Sequence, residues 1–365
     1  MYGNTASILE ELGWDSYFAD KFKELARPDL IAARVINQSK NSYRVYSKDG
    51  DLPASLSGRI IYNSNTGDSY PAVGDWVAIG LDSVGQRAII KAILPRKSRF
   101  SRKVPGSRTE EQLVAANIDL VFIVSGLDGG RNLNLRRIER YLTLSWDSGA
   151  SPAIVLNKAD LCTDIPARIN DIEHAMWGVP IHVTSATEGL GIDLLKKYFT
   201  RGTTAVFLGS SGVGKSSIIN VLLGEKRLEV FDVREQDRQG RHTTSRRELF
   251  LLPGGGSVID TPGIREIQLW ADEDALFSAF PDIEQLSGEC RFTDCTHVSE
   301  PGCAIRNAIE EGALDADRFQ SYSKLRKEIH HLETHRKQRT RLEEKAKWKK
   351  ISRWQKEVKK LRLKP

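Results

Sequence analysis

TTAVFLGSSGVGKSSIINVLLG, residues Thr203 to Gly224, carries the pattern from which the architecture of the chain can be inferred. Its apolar start predicts a buried strand over residues 204–208, then a glycine-rich turn and a helix that begins near Lys215. The turn matches G-x-x-x-x-G-K-[ST], in which backbone N–H groups and the lysine hold the phosphates of a nucleotide. A chance glycine turn gives the same letters, but the flanking strand and helix favour a phosphate-binding loop. We therefore predict that a nucleoside triphosphate binds at Gly209, Ser210, Ser211, Gly212, Val213, Gly214, Lys215, Ser216 and Ser217.

The bulk composition is that of an ordinary globular protein. The 365 residues are 40% hydrophobic and 28% charged, and this length predicts two or three domains. No apolar run approaches the roughly 18 residues that cross a membrane, and the N-terminus lacks the pattern of a signal peptide. Four cysteines do not suggest a disulfide framework. We expect a cytoplasmic monomer that has no membrane partner.

The N-terminal part of the chain divides into two segments. Residues 1–30 predict a helical leader that packs on its own domain, because apolar residues recur there at helical spacing. Residues 31–104 contain five short β-type runs separated by turn signals such as K-D-G at Lys48. Five short strands predict a small β-barrel, and their order allows an OB-fold. Small barrels serve many functions, so nucleic-acid binding by this barrel stays open.

The middle of the chain, residues 105–272, alternates strands with helices. Strand-like runs such as IDLVFIVSG, PAIVLNKAD and GSVIDTPG are separated by helical stretches, including residues 134–144 and 217–223. This alternation predicts a doubly wound α/β domain, in which ligands bind at the carboxyl ends of the strands. The phosphate loop stands directly after one of these predicted strands, where such a ligand would bind.

A second motif indicates which base is bound. It follows the strand PAIVL and matches N-K-x-D at Asn157, Lys158, Ala159 and Asp160. The Asp160 carboxylate can accept two hydrogen bonds from guanine, whereas adenine would leave it unpaired. Alone, these four letters are often a strand-end turn, but beside a phosphate loop they predict a guanine site. Asn157 is expected to tie the motif to the phosphate loop, and backbone N–H groups of Ser185 and Ala186 are expected to reach the guanine oxygen.

Two further segments complete a set for GTP hydrolysis. The run D-T-P-G at Asp260 matches D-x-x-G, and we predict that Asp260 reaches Mg²⁺ through a water while Gly263 meets the γ-phosphate. The Ser216 hydroxyl is the predicted direct ligand of the same Mg²⁺. A polar stretch that contains G-R-H-T-T is expected to add one more ligand in a loop ordered by GTP, either Thr243 or Thr244.

The predicted catalytic residues are Lys215, Asp260, Gly263, Thr243, Thr244 and His242. Ile264 stands after D-x-x-G, where many GTPases carry a glutamine that orients the attacking water. An apolar side chain cannot orient water, so we predict slow intrinsic turnover that depends on an activating partner. Two roles for His242 stay open, because it can either orient the water or only dock the mobile loop.

The order of the motifs is more specific than any single motif. Ordinary GTPases present N-K-x-D last, whereas here it precedes the phosphate loop. The domain is therefore predicted to be circularly permuted. The D-x-x-G segment then leads directly into the C-terminal part of the chain, so the state of the nucleotide can act on that part.

Residues 273–320 predict a helical domain with a metal site. Three cysteines and one histidine lie within 14 residues, a set typical of structural Zn²⁺: Cys290, Cys295, His297 and Cys303. Buried free cysteines are the alternative. Cys162 lies far away in the sequence and is interpreted as a small hydrophobic residue.

Residues 321–365 form a basic tail. Between Lys324 and Pro365 there are 17 basic and 5 acidic residues, a local charge of +12. Apolar residues recur at helical spacing in this tail: Trp348, Ile351, Trp354, Val358 and Leu361. Contact with RNA phosphates, contact with an acidic membrane and a solvated helix packed on the protein all stay open, and the charge with interleaved tryptophans favours RNA.

Taken together, these motifs resemble the circularly permuted, ribosome small-subunit-dependent GTPase A family. The resemblance runs from about Ile31 to Asp315 and rests on the barrel, N-K-A-D, G-S-S-G-V-G-K-S, G-R-H-T-T, D-T-P-G and the Cys/His set. It implies an OB-type barrel, a central GTPase domain and a zinc-binding C-terminal domain. It also implies a role in late maturation of the small ribosomal subunit, which stimulates hydrolysis. Ser245 stands where the family has a third loop threonine.

We expect an assembly factor that hydrolyses GTP to GDP, binds the small subunit and its ribosomal RNA, and holds Zn²⁺ and Mg²⁺. Two alternatives stay open at this point. One is an RNA-binding scaffold with a mainly structural GTP site and negligible turnover. The other is an ATP-dependent enzyme, against which Asp160 argues.

Overall fold

The computed structural model describes residues 5–39, 42–63, 70–82, 85–103, 111–129, 132–176, 178–228, 247–261 and 272–334. The apolar stripe of the basic tail lies outside these residues. No helix in the described ranges combines the length and the apolar character needed to cross a bilayer.

The leader forms two short helices, α1 (Thr5–Glu11) and α2 (Ser16–Lys23). Asp15 caps α2, since its carboxylate accepts a hydrogen bond from the Phe18 N–H at 3.2 Å. The leader packs on the barrel, where the Trp14 and Trp76 rings lie edge to face with centroids 4.7 Å apart. The buried Arg34 guanidinium donates to the carbonyls of Leu12, Gly74 and Asn117, so it links the leader to the barrel and to the following domain.

Five strands close the predicted barrel. The elements are β1 (Ile31–Ser39), β2 (Ser42–Ser47), β3 (Gly50–Leu56), α3 (Gly58–Asn63), β4 (Trp76–Leu81) and β5 (Ala88–Ile93). The strand order is β1-β2-β3-β5-β4, and pairing of β4 with β1 closes the ring. Its interior is a separate apolar core of alternating inward residues, including Val35, Val45, Val77 and Ile90. The predicted small barrel is confirmed.

A hairpin of β6 (Arg99–Lys103) and β7 (Glu111–Ala116) leads into the central sheet. That sheet contains β8 (Leu120–Gly126), β9 (Ser151–Asn157), β10 (Ile181–Val183), β11 (Thr204–Gly209), β12 (Arg247–Leu251) and β13 (Ser257–Asp260). Its order is β10-β9-β8-β11-β13-β12, and the pairs from β10 to β13 are parallel, whereas β12 is antiparallel to β13. The α/β prediction is confirmed.

Helices cover both faces of the central sheet, and two apolar cores lie against them. The helices are α4 (Leu135–Ser148), α5 (Ile165–Ala175), α6 (Ile192–Lys196) and α7 (Lys215–Leu223). At the sheet edge β12 pairs with β1, with Asn37 opposite Glu248, so the barrel and the central sheet share one ladder of strands. Because β8, β9, β11 and β13 are parallel, their carboxyl ends lie at the same end of the sheet, where the predicted motifs are found.

The C-terminal part is helical, with α8 (Glu273–Ala279), α9 (Pro281–Gly288), α10 (Ala304–Glu310) and a helix α11 over residues 316–334. Its apolar residues join the core that lies on the α4 side of the central sheet. Arg318 donates to both carboxylate oxygens of Asp282 at 2.7 Å and to the buried Glu139 of α4 at 3.3 Å. Burial raises the pKa of Glu139, and the Arg318, Arg136 and Ser321 donors counter this shift. The helical domain is thus anchored to α4.

Candidate nucleotide and metal sites

The phosphate loop connects β11 to α7, and two of its glycines are required by close packing. Gly209 has φ +150° and Gly214 has φ +96°. A Cβ at Gly209 would lie 2.3 Å from the Val124 carbonyl oxygen, and one at Gly214 would lie 2.1 Å from the Asn157 amide nitrogen. Larger residues would therefore displace both neighbouring strand ends from the loop. Helix α7 begins directly behind the loop, so its N-terminal N–H groups favour an anion there.

Lys215 lies at the first position of α7, and its side chain folds over the loop. The ammonium group donates to the carbonyl oxygens of Gly209 at 2.8 Å and Ser210 at 2.6 Å. These contacts hold the charge at the mouth of the loop. Ser216 and Ser217 follow in the first turn of the same helix and are partly exposed, as are Ser210, Ser211 and Gly212, whereas Val213 is buried.

Asp260 ends β13, the strand next to the one that precedes the phosphate loop. Burial raises the pKa of this carboxyl from 3.8 to about 6, and the nearby Lys215 and the Thr261 N–H counter part of that shift. A buried carboxyl that is readily protonated is stabilised in its charged form by a cation. Asp260 is therefore a candidate ligand for a divalent cation.

The base end of the site is organised by Asn157, which is 2% exposed. Its amide donates to the Val213 carbonyl of the phosphate loop at 2.8 Å. Its carbonyl oxygen accepts from the Thr184 hydroxyl at 3.2 Å and from the Ala186 N–H at 3.1 Å. One buried side chain thus joins three separate loops, and the three contacts hold them in register.

Asp160 and Lys158 flank this buried asparagine. Asp160 is exposed, and its carboxylate accepts a hydrogen bond from the Ser185 hydroxyl, which orients it. Lys158 has φ +65°, and its ammonium lies 2.6 Å from the Asp128 carboxylate. Asp128 also accepts a hydrogen bond from the Asn132 side chain at 2.9 Å. The loop that follows β8 therefore fixes the position of the Lys158 side chain. Ala159 is buried beneath the motif.

The structure brings most of the predicted nucleotide residues together at one sheet edge. Four predicted catalytic residues lie outside the described residues: Gly263, Thr243, Thr244 and His242. Ile264 and Ser245 also lie outside them.

The predicted metal ligands form a compact cluster between α9 and α10. The ligand atoms of Cys290, Cys295, His297 and Cys303 all lie within 4.8 Å of one another. The His297 Nδ1 atom lies 3.6 Å from the Cys290 sulfur and 3.5 Å from the Cys303 sulfur, and these sulfurs are 4.0 Å apart. Sulfurs bound to tetrahedral Zn²⁺ are about 3.8 Å apart, given bonds of about 2.3 Å. The cluster therefore fits Zn²⁺.

The surroundings of the cluster favour metal binding. Burial and the nearby Arg326 lower the pKa of His297, which keeps the imidazole in the neutral form that binds metals. The Ser287 hydroxyl lies 3.4 Å from the other ring nitrogen, where it can orient the ring. Glu300 accepts hydrogen bonds from the N–H groups of Thr296, Val298 and Ser299, each at 3.0 Å, so it shapes the ligand loop.

Known proteins are similar to this chain over most of its length. The RsgA GTPase family model matches residues 93–270. The small ribosomal subunit biogenesis GTPase RsgA of Opitutus terrae is 44% identical over 329 residues, which cover 88% of this chain and 89% of that protein. The chain belongs to the RsgA GTPase family.

Two solved structures are similar to this RsgA-family chain. The crystal structure of YjeQ from Thermotoga maritima has a TM-score of 0.62 and 27% identity, covering 82% of this chain and 98% of that chain. The crystal structure of YloQ, described as a circularly permuted GTPase, has a TM-score of 0.56 and 25% identity, covering 82% of this chain and 95% of that chain. The resemblance inferred from the motifs is confirmed, and the chain is a GTP-hydrolysing enzyme of the permuted type.

Sequence reasoning missed two residues of this RsgA-family site. Asp128 holds Lys158, and Arg137 of α4 donates to the Ser210 hydroxyl of the phosphate loop. A signal for Asp128 was present, because it follows the end of a parallel strand where ligands bind. Arg137 had only a weak signal, namely two arginines at the start of a predicted helix.

Proposed function

We propose that this GTPase acts in the biogenesis of the small ribosomal subunit and hydrolyses GTP in response to that subunit. The observation that carries the proposal is the nucleotide site organised by Asn157, in a chain that is 44% identical to a small ribosomal subunit biogenesis GTPase. The name of the Opitutus terrae relative supports the choice of the small subunit as partner.

The residues of the site divide the work of hydrolysis. Asp160 selects guanine, and the phosphate loop with Lys215 neutralises the phosphates. Ser216 and Asp260, with either Thr243 or Thr244, would hold Mg²⁺, which would neutralise charge on the phosphate oxygens. The Gly263 N–H meets the γ-phosphate.

His242 has two alternative roles, because it either orients the attacking water or docks its own loop. Single-turnover hydrolysis by the His242→Ala variant, with the small subunit present, separates these roles. An unchanged rate would exclude orientation of the water by His242.

The Cys/His cluster is proposed to hold one structural Zn²⁺ that fixes the loop between α9 and α10. All four ligand positions come from protein side chains, which leaves no open position for catalysis. Metal analysis of the purified protein is expected to give one zinc per chain and to lose it in Cys303→Ser. Cys162→Ser is the matched control, and retention of zinc by Cys303→Ser would exclude the proposed ligand set.

We further propose that the barrel and the basic tail contact ribosomal RNA, and that the chain acts as a monomer in the cytoplasm. The tail carries a local charge of +12, which suits phosphate contacts. Truncation after residue 334 is expected to weaken binding to small subunits and to reduce its dependence on salt. Unchanged affinity and unchanged salt dependence would remove the tail from the RNA contact.

The central experiment measures phosphate release from GTP with and without purified small subunits. The proposal predicts slow release alone and release faster by about 10³-fold or more with subunits, a stimulation seen when a partner completes such a site. Binding to subunits without any stimulation would favour the scaffold alternative, in which the GTP site is mainly structural. If ATP competed for the nucleotide site as strongly as GTP does, the assignment of guanine as the bound base would be contradicted.

A further inference from the structure

Helix α4 begins beside the phosphate loop. Asn134 caps it by accepting a hydrogen bond from the Arg137 N–H at 3.0 Å. The Arg137 guanidinium donates to the Ser210 hydroxyl, and the Ser210 carbonyl oxygen accepts from Lys215 at 2.6 Å. Two cations from different helices therefore meet at one residue of the loop.

The charge at the start of α4 is unusual. The first turn carries two arginines and no acidic residue, although a helix N-terminus is already electropositive. Arg136 lies 3.3 Å from the Glu139 carboxylate and 3.4 Å from that of Asp317, so its charge is compensated. Arg137 contacts no carboxylate within the described part of the chain. Its charge is directed at the predicted phosphate loop. A bound anion there would offset the electrostatic cost of placing an arginine at the electropositive start of the helix.

The backbone that carries Arg137 is firmly held. One turn further along α4, Arg140 makes a two-pronged ion pair with Glu328 of α11 at 2.9 Å, and the buried Glu139 accepts from Arg318. Because the helix is anchored on its far side, only the arginine side chain has to move. A guanidinium can exchange a neutral hydroxyl for phosphate oxygens, which it binds more strongly and in a two-pronged manner.

We propose that Arg137 is a ligand of the γ-phosphate and stabilises the transition state of hydrolysis, as an activating arginine supplied within the chain. The reaction is that of the proposed function. Water adds to the γ-phosphorus and loses one proton to solvent, and the bond from that phosphorus to the bridging oxygen breaks, with its electron pair leaving on GDP. Arg137 neutralises charge on the γ-phosphoryl and bridging oxygens during this transfer. The role suits a sequence in which Ile264 follows D-x-x-G, at the position where many GTPases carry a glutamine.

The competing explanation is that Arg137 only braces the phosphate loop through Ser210. The two roles differ in what they predict for GDP. A brace supports the loop in every nucleotide state, so its loss weakens GDP and GTP alike. A γ-phosphate ligand does not touch GDP, so its loss leaves GDP affinity unchanged.

The experiment compares Arg137→Ala and the milder Arg137→Gln with wild type, using the full chain. Single-turnover hydrolysis of GTP, with and without small subunits, is expected to slow by about 10³-fold, the lower range for an arginine supplied to such a site. GDP affinity, measured by titration with a fluorescent GDP analogue, is expected to stay within about twofold, and tight binding of GDP with aluminium fluoride and Mg²⁺ is expected to be lost. Arg136→Ala removes the same charge at the neighbouring position and is expected to behave like wild type.

A slowing of less than about tenfold, or a fall in GDP affinity as large as the fall in rate, overturns the inference. Retained binding of GDP with aluminium fluoride overturns it as well. The ratio of variant to wild type tests Arg137, whereas stimulation of the wild type by subunits tests the proposed function. The two hypotheses can therefore fail separately.

Discussion

The two ends of the nucleotide site are built differently. At the base end, Asn157 is buried and its amide makes three hydrogen bonds to partners on two other loops, while Ser185 orients Asp160. At the phosphate end, Lys215 donates to carbonyls of its own loop, and Asp260 has a pKa raised by burial. The base end is a completed network, whereas the phosphate end holds groups that a magnesium triphosphate would reorganise. We therefore infer that the base end is preorganised for recognition, whereas hydrolysis depends on rearrangement at the phosphate end.

The largest expected effect at the phosphate end is that of Lys215→Ala. Loss of this charge should slow single-turnover hydrolysis by about 10³-fold or more, because a cation beside the developing negative charge contributes about that much to stabilising the transition state. The preference for GDP over ADP, measured by competition binding, should not change. Lys226→Ala, an exposed lysine just beyond α7, is the matched control. A change in base preference would show that the two ends are not separate.

Asp160→Asn makes the converse change at the base end. It removes a charged acceptor of two hydrogen bonds, which are worth about 1.5 kcal/mol or more each, so GTP affinity should fall by about 10²-fold. Xanthosine triphosphate, which presents a carbonyl in place of the amine, should gain affinity relative to GTP. The rate of hydrolysis of bound GTP should stay close to wild type. Asp171→Asn on the surface of α5 is the control, and an equal loss there would contradict the assignment.

Asn157→Ala tests whether the base end is a network. Three hydrogen bonds are lost, but small movements of the loops can satisfy part of the remaining groups, so a loss of about 2 kcal/mol is expected. That corresponds to about 30-fold weaker binding of both GDP and GTP, read by titration calorimetry. The midpoint temperature of thermal unfolding should also fall by a few degrees, because the Asn157 side chain links loops at the end of the central sheet. Weaker binding of GTP alone would indicate that Asn157 acts on the phosphates.

The smallest expected effect concerns pH at Asp260. Since the pKa of this carboxyl is about 6, its charged fraction falls below that pH, and Mg²⁺-dependent GTP affinity should fall by about tenfold from pH 7 to pH 5. The folded chain holds this proton more tightly than the unfolded chain, so ionisation of Asp260 lowers folding stability as pH rises from about 4 to 6. Metal binding and folding thus respond in opposite directions. The Asp260→Asn variant should bind GTP with Mg²⁺ more weakly, and its affinity should no longer depend on pH. If the pH dependence persisted, another group would be responsible for it.

Local patterns in the sequence were sufficient to identify the motifs and the order in which they occur. The phosphate loop, N-K-x-D and the Cys/His set each lie within a few consecutive residues, so spacing alone indicates their chemistry. The reversed order of N-K-x-D and the phosphate loop is also a property of the chain as written, and it predicted the permuted GTPase fold. Short strands separated by turn signals were sufficient to predict a barrel, although not its closure.

Contacts between residues far apart in sequence follow from the packing of the helices and strands, and local patterns do not predict them. These include the pairing of β1 with β12, the anchoring of α4 through Glu139 and Arg318, and the contact of Arg137 with Ser210. Seventy-three residues separate the last pair. No periodicity records such a contact, because it depends on which faces of the helices and sheet pack together. Short motifs were therefore enough to indicate the nucleotide chemistry of this protein. The packing of α4 against the sheet and the C-terminal helices places Arg137 beside the phosphate loop and holds its helix there.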